Sequence, residues 1–256
     1  MSASCRIPRL LLFDIDCTLI RSRHPPKSNA KTGGYLMTAL SRAFAKPVDI
    51  EDGIVYSGGT DGSLARELLQ INGITHNNCE KYSDNIKTAL DIMPEIVETR
   101  VANGQLSWYS LPNVNELLQK LVARTDVKLA ILTGNVHDIA VLKLKSAGIN
   151  AELFKEKGQL FGAFGCDHFI RDELVKIAKR RYCDFLGCGV EPNDMVIIGD
   201  SPKDISCAHN NNVPCVAVDT GFYEYKQLSH ADCVLVGGFK DIECSVKALT
   251  ETMRSN

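Results

Sequence analysis

The sequence predicts an α/β fold: a parallel β-sheet covered by helices, with a helical segment inserted after the first strand. Three observations predict it. The chain holds several short apolar, β-branched runs that do not alternate, as strands buried on both faces require. Helical patterns separate the later runs, the order that makes parallel sheets. Residues 20–110 instead read as helices with no strand pattern between them.

Taken in order, "RLLLF" (9–13) is the first strand, an unbroken apolar run that ends in Asp14 and Asp16. In the insertion, "GYLMTALSRAFA", "TDGSLARELLQING" and "EKYSDNIKTALDIMPEIVETRVANG" have helical spacing. In the last of these, Ile86, Leu90, Met93, Val97 and Val101 recur every three or four residues, and Pro94 is expected to end or kink the helix. Thr60 or Asp61, after the small-residue run "SGGTDG" (57–62), is the expected N-cap. Trp108 is read as core or as part of a hinge. Strands follow at "VKLAILTGN" (127–135), "DMVIIGDS" (194–201), "VPCVAVDTG" (213–221) and "ADCVLVGGF" (231–239). Helices are expected at "VHDIAVLKLKSAGI", with Ile139, Leu142 and Ala147 on a helical repeat that closes on Gly148, and at "DELVKIAKRRY" and "PKDISCAHN". This divides the chain into a core of residues 1–19 and 110–256 and a helical cap of residues 20–109.

Composition narrows the partners. The chain has 256 residues, 45% of them hydrophobic and 23% charged, with a formal net charge of −2. That charge offers no general attraction to nucleic acid or an anionic membrane. No apolar run approaches the roughly 18 residues of a membrane helix, and nothing resembles a signal peptide. The ten cysteines are scattered without zinc-ligand spacing. A reduced, cytoplasmic setting is the expectation.

The chemistry gathers at strand ends. In an open parallel sheet the binding crevice lies beyond the carboxyl ends of the strands. Asp14 and Asp16 end the first run, Thr133 ends "LAIL", and Asp200 ends "VIIG", with Asp204 in the turn beyond. A single acidic strand end often serves as a helix cap or turn residue. Several converging on one edge suit a hard divalent cation held by carboxylates and a substrate phosphate.

These residues stand in "DIDCT" (14–18), "LTG" (132–134) and "GDSPKD" (199–204), which resemble the signature motifs of the haloacid dehalogenase-like hydrolases. The insertion and its "GGTD" resemble the cap of the phosphoglycolate-phosphatase-like branch. The resemblance implies a Rossmann-like three-layer α/β/α core and a Mg²⁺-dependent phosphatase acting on a small phosphorylated metabolite. In that reading Asp14 is the nucleophile and Asp16 the general acid, then base. Mg²⁺ lies among Asp14, the backbone carbonyl of Asp16 and Asp200, with Asp204 either a further ligand or a carboxylate behind them. Thr133 and the amides of Gly134 and Asn135 hold phosphoryl oxygens. Thr60 and Asp61 either reach the substrate from the cap or only cap their helix. A sugar-phosphate mutase and a catalytically silent binding module are the alternatives. The family's usual lysine before the last motif is missing. Arg171 is the expected replacement, ahead of Lys176 and Lys155. Cys17 stands where the family commonly has glycine, either simply tolerated or an oxidisable switch. Arg21, Arg23 and His24 could meet an anionic group or be solvated. His137 and His168 could touch substrate or be solvent-facing residues at helix starts.

Overall fold

The computed structural model describes residues 7–23, 34–49, 58–74 and 84–253. The expectations placed on His24, Ser57 and residues 80–83 lie outside these.

Strand β1 (Arg9–Phe13) is fully buried, and β2 (Ile20–Ser22) leads away from it. Helices α1 (Tyr35–Phe44), α2 (Asp61–Ile71) and α3 (Asp84–Ala102) form the insertion, and β3 (Trp108–Ser110) returns from it. β2 and β3 pair antiparallel, with Ser22 opposite Trp108, so the two connections to the insertion are tied together as a ribbon. Trp108 is buried in that ribbon. The three helices pack on one another through Leu36, Leu40, Leu68, Leu90, Met93 and Val97. Pro94 lies inside α3, so it does not end the helix. Packing against α1 and α2 holds the helix across the lost backbone bond; tertiary contacts outweigh the local penalty.

The rest of the chain builds the core. α4 (Val114–Val122), β4 (Val127–Leu132) and α5 (His137–Ser146) come first. A small antiparallel ribbon, β5 (Lys155–Glu156) with β6 (Gln159–Leu160), precedes β7 (Gly162–Ala163). Then follow α6 (Arg171–Leu186), β8 (Met195–Gly199), α7 (Pro202–His209), β9 (Cys215–Val218), α8 (Tyr225–Leu228), β10 (Cys233–Leu235) and α9 (Ile242–Glu251).

The main sheet is parallel, in the order β10-β9-β8-β1-β4-β7. Its five longer strands are those expected from the apolar runs; the two-residue β7 carries no such run. Alternate side chains of β1 feed two apolar layers, Leu11 and Phe13 on one face and Leu10 and Leu12 on the other. That is why the run does not alternate in polarity. From β1 the chain adds β4 and β7 on one side, then crosses back to add β8, β9 and β10 on the other, so the strand order reverses at β1. The crevice of an open sheet opens at that reversal.

Candidate active site

Register brings the strand ends together. Phe13 of β1 pairs with Ile131 of β4 and with Ile198 of β8. Asp14 therefore follows β1 between Thr133 after β4 and Asp200 after β8, and its amide donates to the Ile198 carbonyl at 2.9 Å. One carboxylate oxygen from each of Asp14, Asp200 and Asp204 lies within 4.8 Å of the others, all three residues buried.

Three buried carboxylates this close cannot all carry charge unaided. Burial, with Asp204, Asp14 and Asp16 adding repulsion, pushes Asp200 up to about 9. Burial likewise raises Asp14 to about 7, against the pull of Arg171. Asp200 Oδ2 is buried with no hydrogen-bond partner. Gly221 keeps space open beside it, since a Cβ there would lie 1.8 Å from that oxygen. An orphaned oxygen, a carboxylate cluster and a cradle free of side chain fit a small hard cation.

Arg171 enters from the first turn of α6. Its Nη2 donates to Asp204 Oδ1 in a short bond and lies 3.4 Å from Asp14 Oδ1, and its Nη1 donates to the Gly58 carbonyl at 3.4 Å. Burial opposes the guanidinium charge, but Asp204 and Asp14 raise its pKa well above the usual value. Lys176 and Lys155 instead pair with Glu173 and Glu152 on the surface. Asp204 also accepts on Oδ2 from the Ser201 hydroxyl at 2.6 Å and amide at 3.1 Å, closing a capping box at the start of α7. Both its oxygens are thus engaged by protein groups.

On the other side, Asn135 donates from Nδ2 to Thr133 Oγ1 and to Asp16 Oδ2, each at 2.8 Å. Gly134 is pressed against the insertion: a Cβ there would lie 1.9 Å from the Gly59 carbonyl oxygen. The Asp61 amide donates to the Gly134 carbonyl at 2.8 Å, and the Val136 amide donates to Asp61 Oδ2 at 3.0 Å. Thr60 is the N-cap of α2, and its hydroxyl also donates to the Phe169 carbonyl at 2.6 Å. Both residues therefore join the insertion to the core beside the site, and burial raises Asp61 to about 6.

Lys143 went unread in the sequence. The inward face of α5 is Ile139, Ala140, Lys143 and Leu144, while Leu142 and Ala147 are half-buried against the same core. Lys143 Nζ donates to Asp16 Oδ2 at 2.6 Å and to Asn135 Oδ1 at 2.7 Å. Its signal was a lysine one turn after Ile139 on an otherwise apolar face.

Cys17 has φ +59°, a left-handed conformation that glycine adopts without penalty, which accounts for a glycine preference at this position. Burial, with Asp200 and Asp16 close by, pushes its thiol up to about 12. Arg21 lies over the Phe222 ring and Arg23 over the Tyr109 ring. His137 pairs with Asp138, and His168 accepts from the Ile170 amide at 3.0 Å. The described cysteines are free thiols, and no helix among the described residues is long and apolar enough to cross a membrane.

Solved structures share this fold. A predicted phosphatase from Clostridium acetobutylicum is 17% identical, with 94% of this chain and 98% of that one covered at a TM-score of 0.60. A β-phosphoglucomutase from Clostridium difficile is 16% identical (96% and 99% covered, TM-score 0.54). A predicted phosphoglycolate phosphatase from Haemophilus somnus is 21% identical (93% and 98% covered, TM-score 0.53). No curated protein sequence matches. The family profile described as haloacid dehalogenase-like hydrolase matches residues 11–209. With that match, and with its acidic motifs meeting at the reversal of a parallel sheet, the chain belongs to the haloacid dehalogenase-like hydrolases.

Proposed function

We propose that the protein is a Mg²⁺-dependent phosphatase that hydrolyses a small phosphorylated metabolite through an aspartyl-phosphate on Asp14. The observation that carries this reading is the convergence of Asp14, Thr133 and Asp200 at the ends of three adjacent strands, with Arg171 against the nucleophile. Asp14 attacks phosphorus, and the P–O bond to the leaving alcohol breaks. Asp16, on the same turn, gives that alkoxide its proton and then takes one from the water that hydrolyses the aspartyl-phosphate. Arg171, Thr133 and the amides of Gly134 and Asn135 hold the phosphoryl oxygens as charge moves over them.

Asp14, the Asp16 carbonyl and Asp200 are the groups that would hold Mg²⁺, whose charge lets an anionic nucleophile meet an anionic phosphate. We assign Asp204 to orienting Arg171 and α7, since its oxygens are already taken. The helical insertion acts as a cap over the crevice, which favours small substrates over macromolecules. A reducing cytoplasmic setting suits the free thiols.

The test is phosphate release from p-nitrophenyl phosphate and a panel of phosphorylated metabolites, with Mg²⁺ or EDTA, beside Asp14→Asn. Mg²⁺-dependent release that vanishes in Asp14→Asn is the expected result. Isomerised sugar phosphate without free phosphate would point to a mutase. Silence across the panel would point to a binding module.

A further inference from the structure

The side chain of Lys143 is 5% exposed, whereas that of its partner Asp16 is 45% exposed. Burying a lysine is costly unless its partners compensate. An apolar residue would serve the packing of α5 better, since Ile139, Ala140 and Leu144 share that face. The lysine has instead a polar assignment. It closes a triangle in which Lys143 Nζ meets Asp16 Oδ2 and Asn135 Oδ1, while Asn135 Nδ2 donates to the same Asp16 oxygen. No described residue bonds the other Asp16 carboxylate oxygen. The walls of the lysine's chamber come from the insertion and its ribbon: Nζ lies 5.7 Å from the Trp108 ring centroid and 6.0 Å from that of Tyr35.

We propose that Lys143 is a positioning residue for Asp16. With Asn135 it clamps Oδ2, so that Oδ1 is the oxygen presented to the leaving group and to water. Trp108 and Tyr35 keep the lysine in place, which ties the pose of Asp16 to the seating of the helical insertion. This role rests on the phosphatase reading for its catalytic meaning, but the clamp itself does not.

Two measurements separate the two. With p-nitrophenyl phosphate and Mg²⁺, Lys143→Met should lower kcat about ten- to a hundredfold, a share of what general acid–base catalysis contributes, with KM little changed. In an Asp16→Asn background the same substitution should cost nothing further, because the two residues act as one unit. An unchanged kcat, or an equal loss in both backgrounds, overturns the proposal. Crystal structures of wild type and Lys143→Met need no activity: Asp16 should leave its pose in the variant, and an unmoved carboxylate overturns the clamp. If Asp16 moves while wild type releases no phosphate, the phosphatase reading fails and the clamp stands. Should Lys143→Met not fold, Lys143→Gln, which keeps a donor but not the charge or reach, replaces it in both measurements with the same expectations.

Discussion

Arg171 is the residue we propose in place of the lysine in the family's motif, and its forked guanidinium suits that role. One nitrogen serves both Asp204 and Asp14, the proposed nucleophile, while the other reaches the Gly58 carbonyl. A lysine offers a single point charge and cannot span these acceptors as a fork. Arg171→Lys should therefore retain part of the activity, and Arg171→Ala should lose roughly a hundredfold or more of kcat, the scale of one removed transition-state donor; steady-state kinetics on p-nitrophenyl phosphate decides. An Arg171→Ala enzyme with wild-type turnover would remove Arg171 from the mechanism. Asp200→Asn takes away the buried oxygen that lacks a partner and relieves charge repulsion. It should abolish stabilisation by Mg²⁺ while leaving the metal-free melting temperature unchanged or raised, as differential scanning fluorimetry will report.

Among the elements, α2 is fixed at its start by bonds within the helix and across to the core. Thr60 caps it reciprocally with Ser63, at 3.0 Å and 3.1 Å, and also donates to Phe169 before α6. Thr60→Ala should cost about 1 kcal/mol, the usual value of an N-cap, plus the bond that crosses to the core. Urea unfolding measures the sum, and an unchanged midpoint would show the cap to be dispensable. The "GGTD" stretch was legible as a helix start from residue types alone. That Asp61 would turn to the amide of Val136, and not outward to solvent, was not, because that partner lies across the insertion boundary. The same limit hid Lys143: a helical repeat can be phased in two ways, and only packing against β3 and α3 shows which face is inside.

For the whole molecule, crowded carboxylates make stability depend on pH and on cation. Asp14 and Asp200 have folded pKa values of about 7 and about 9, raised from 3.8 chiefly by burial. A carboxyl whose pKa rises on folding favours the folded state when protonated. Its contribution is complete below the unfolded value and is lost as pH rises through the folded one. Without metal, the melting temperature should fall between about pH 4 and pH 9. Mg²⁺ binds the ionised form, so its stabilisation should grow with pH over that range. Thermal melts in EDTA and in Mg²⁺ across this range test it, and a metal-free melting temperature that rises from pH 6 to pH 9 would contradict it.

The sequence by itself determined the sheet, the insertion and the acidic strand ends. Buried strands need continuous apolar runs, and carboxylates placed just after such runs are too costly to be accidental there. Tertiary structure alone decided what those side chains meet. Strand order put β1 between β4 and β8, helix packing carried α3 through Pro94, and long-range contacts delivered Arg171 to Asp14 and Lys143 to Asp16. Local pattern encodes where strands and helices run, but a partner more than a hundred residues away is chosen only when the layers close.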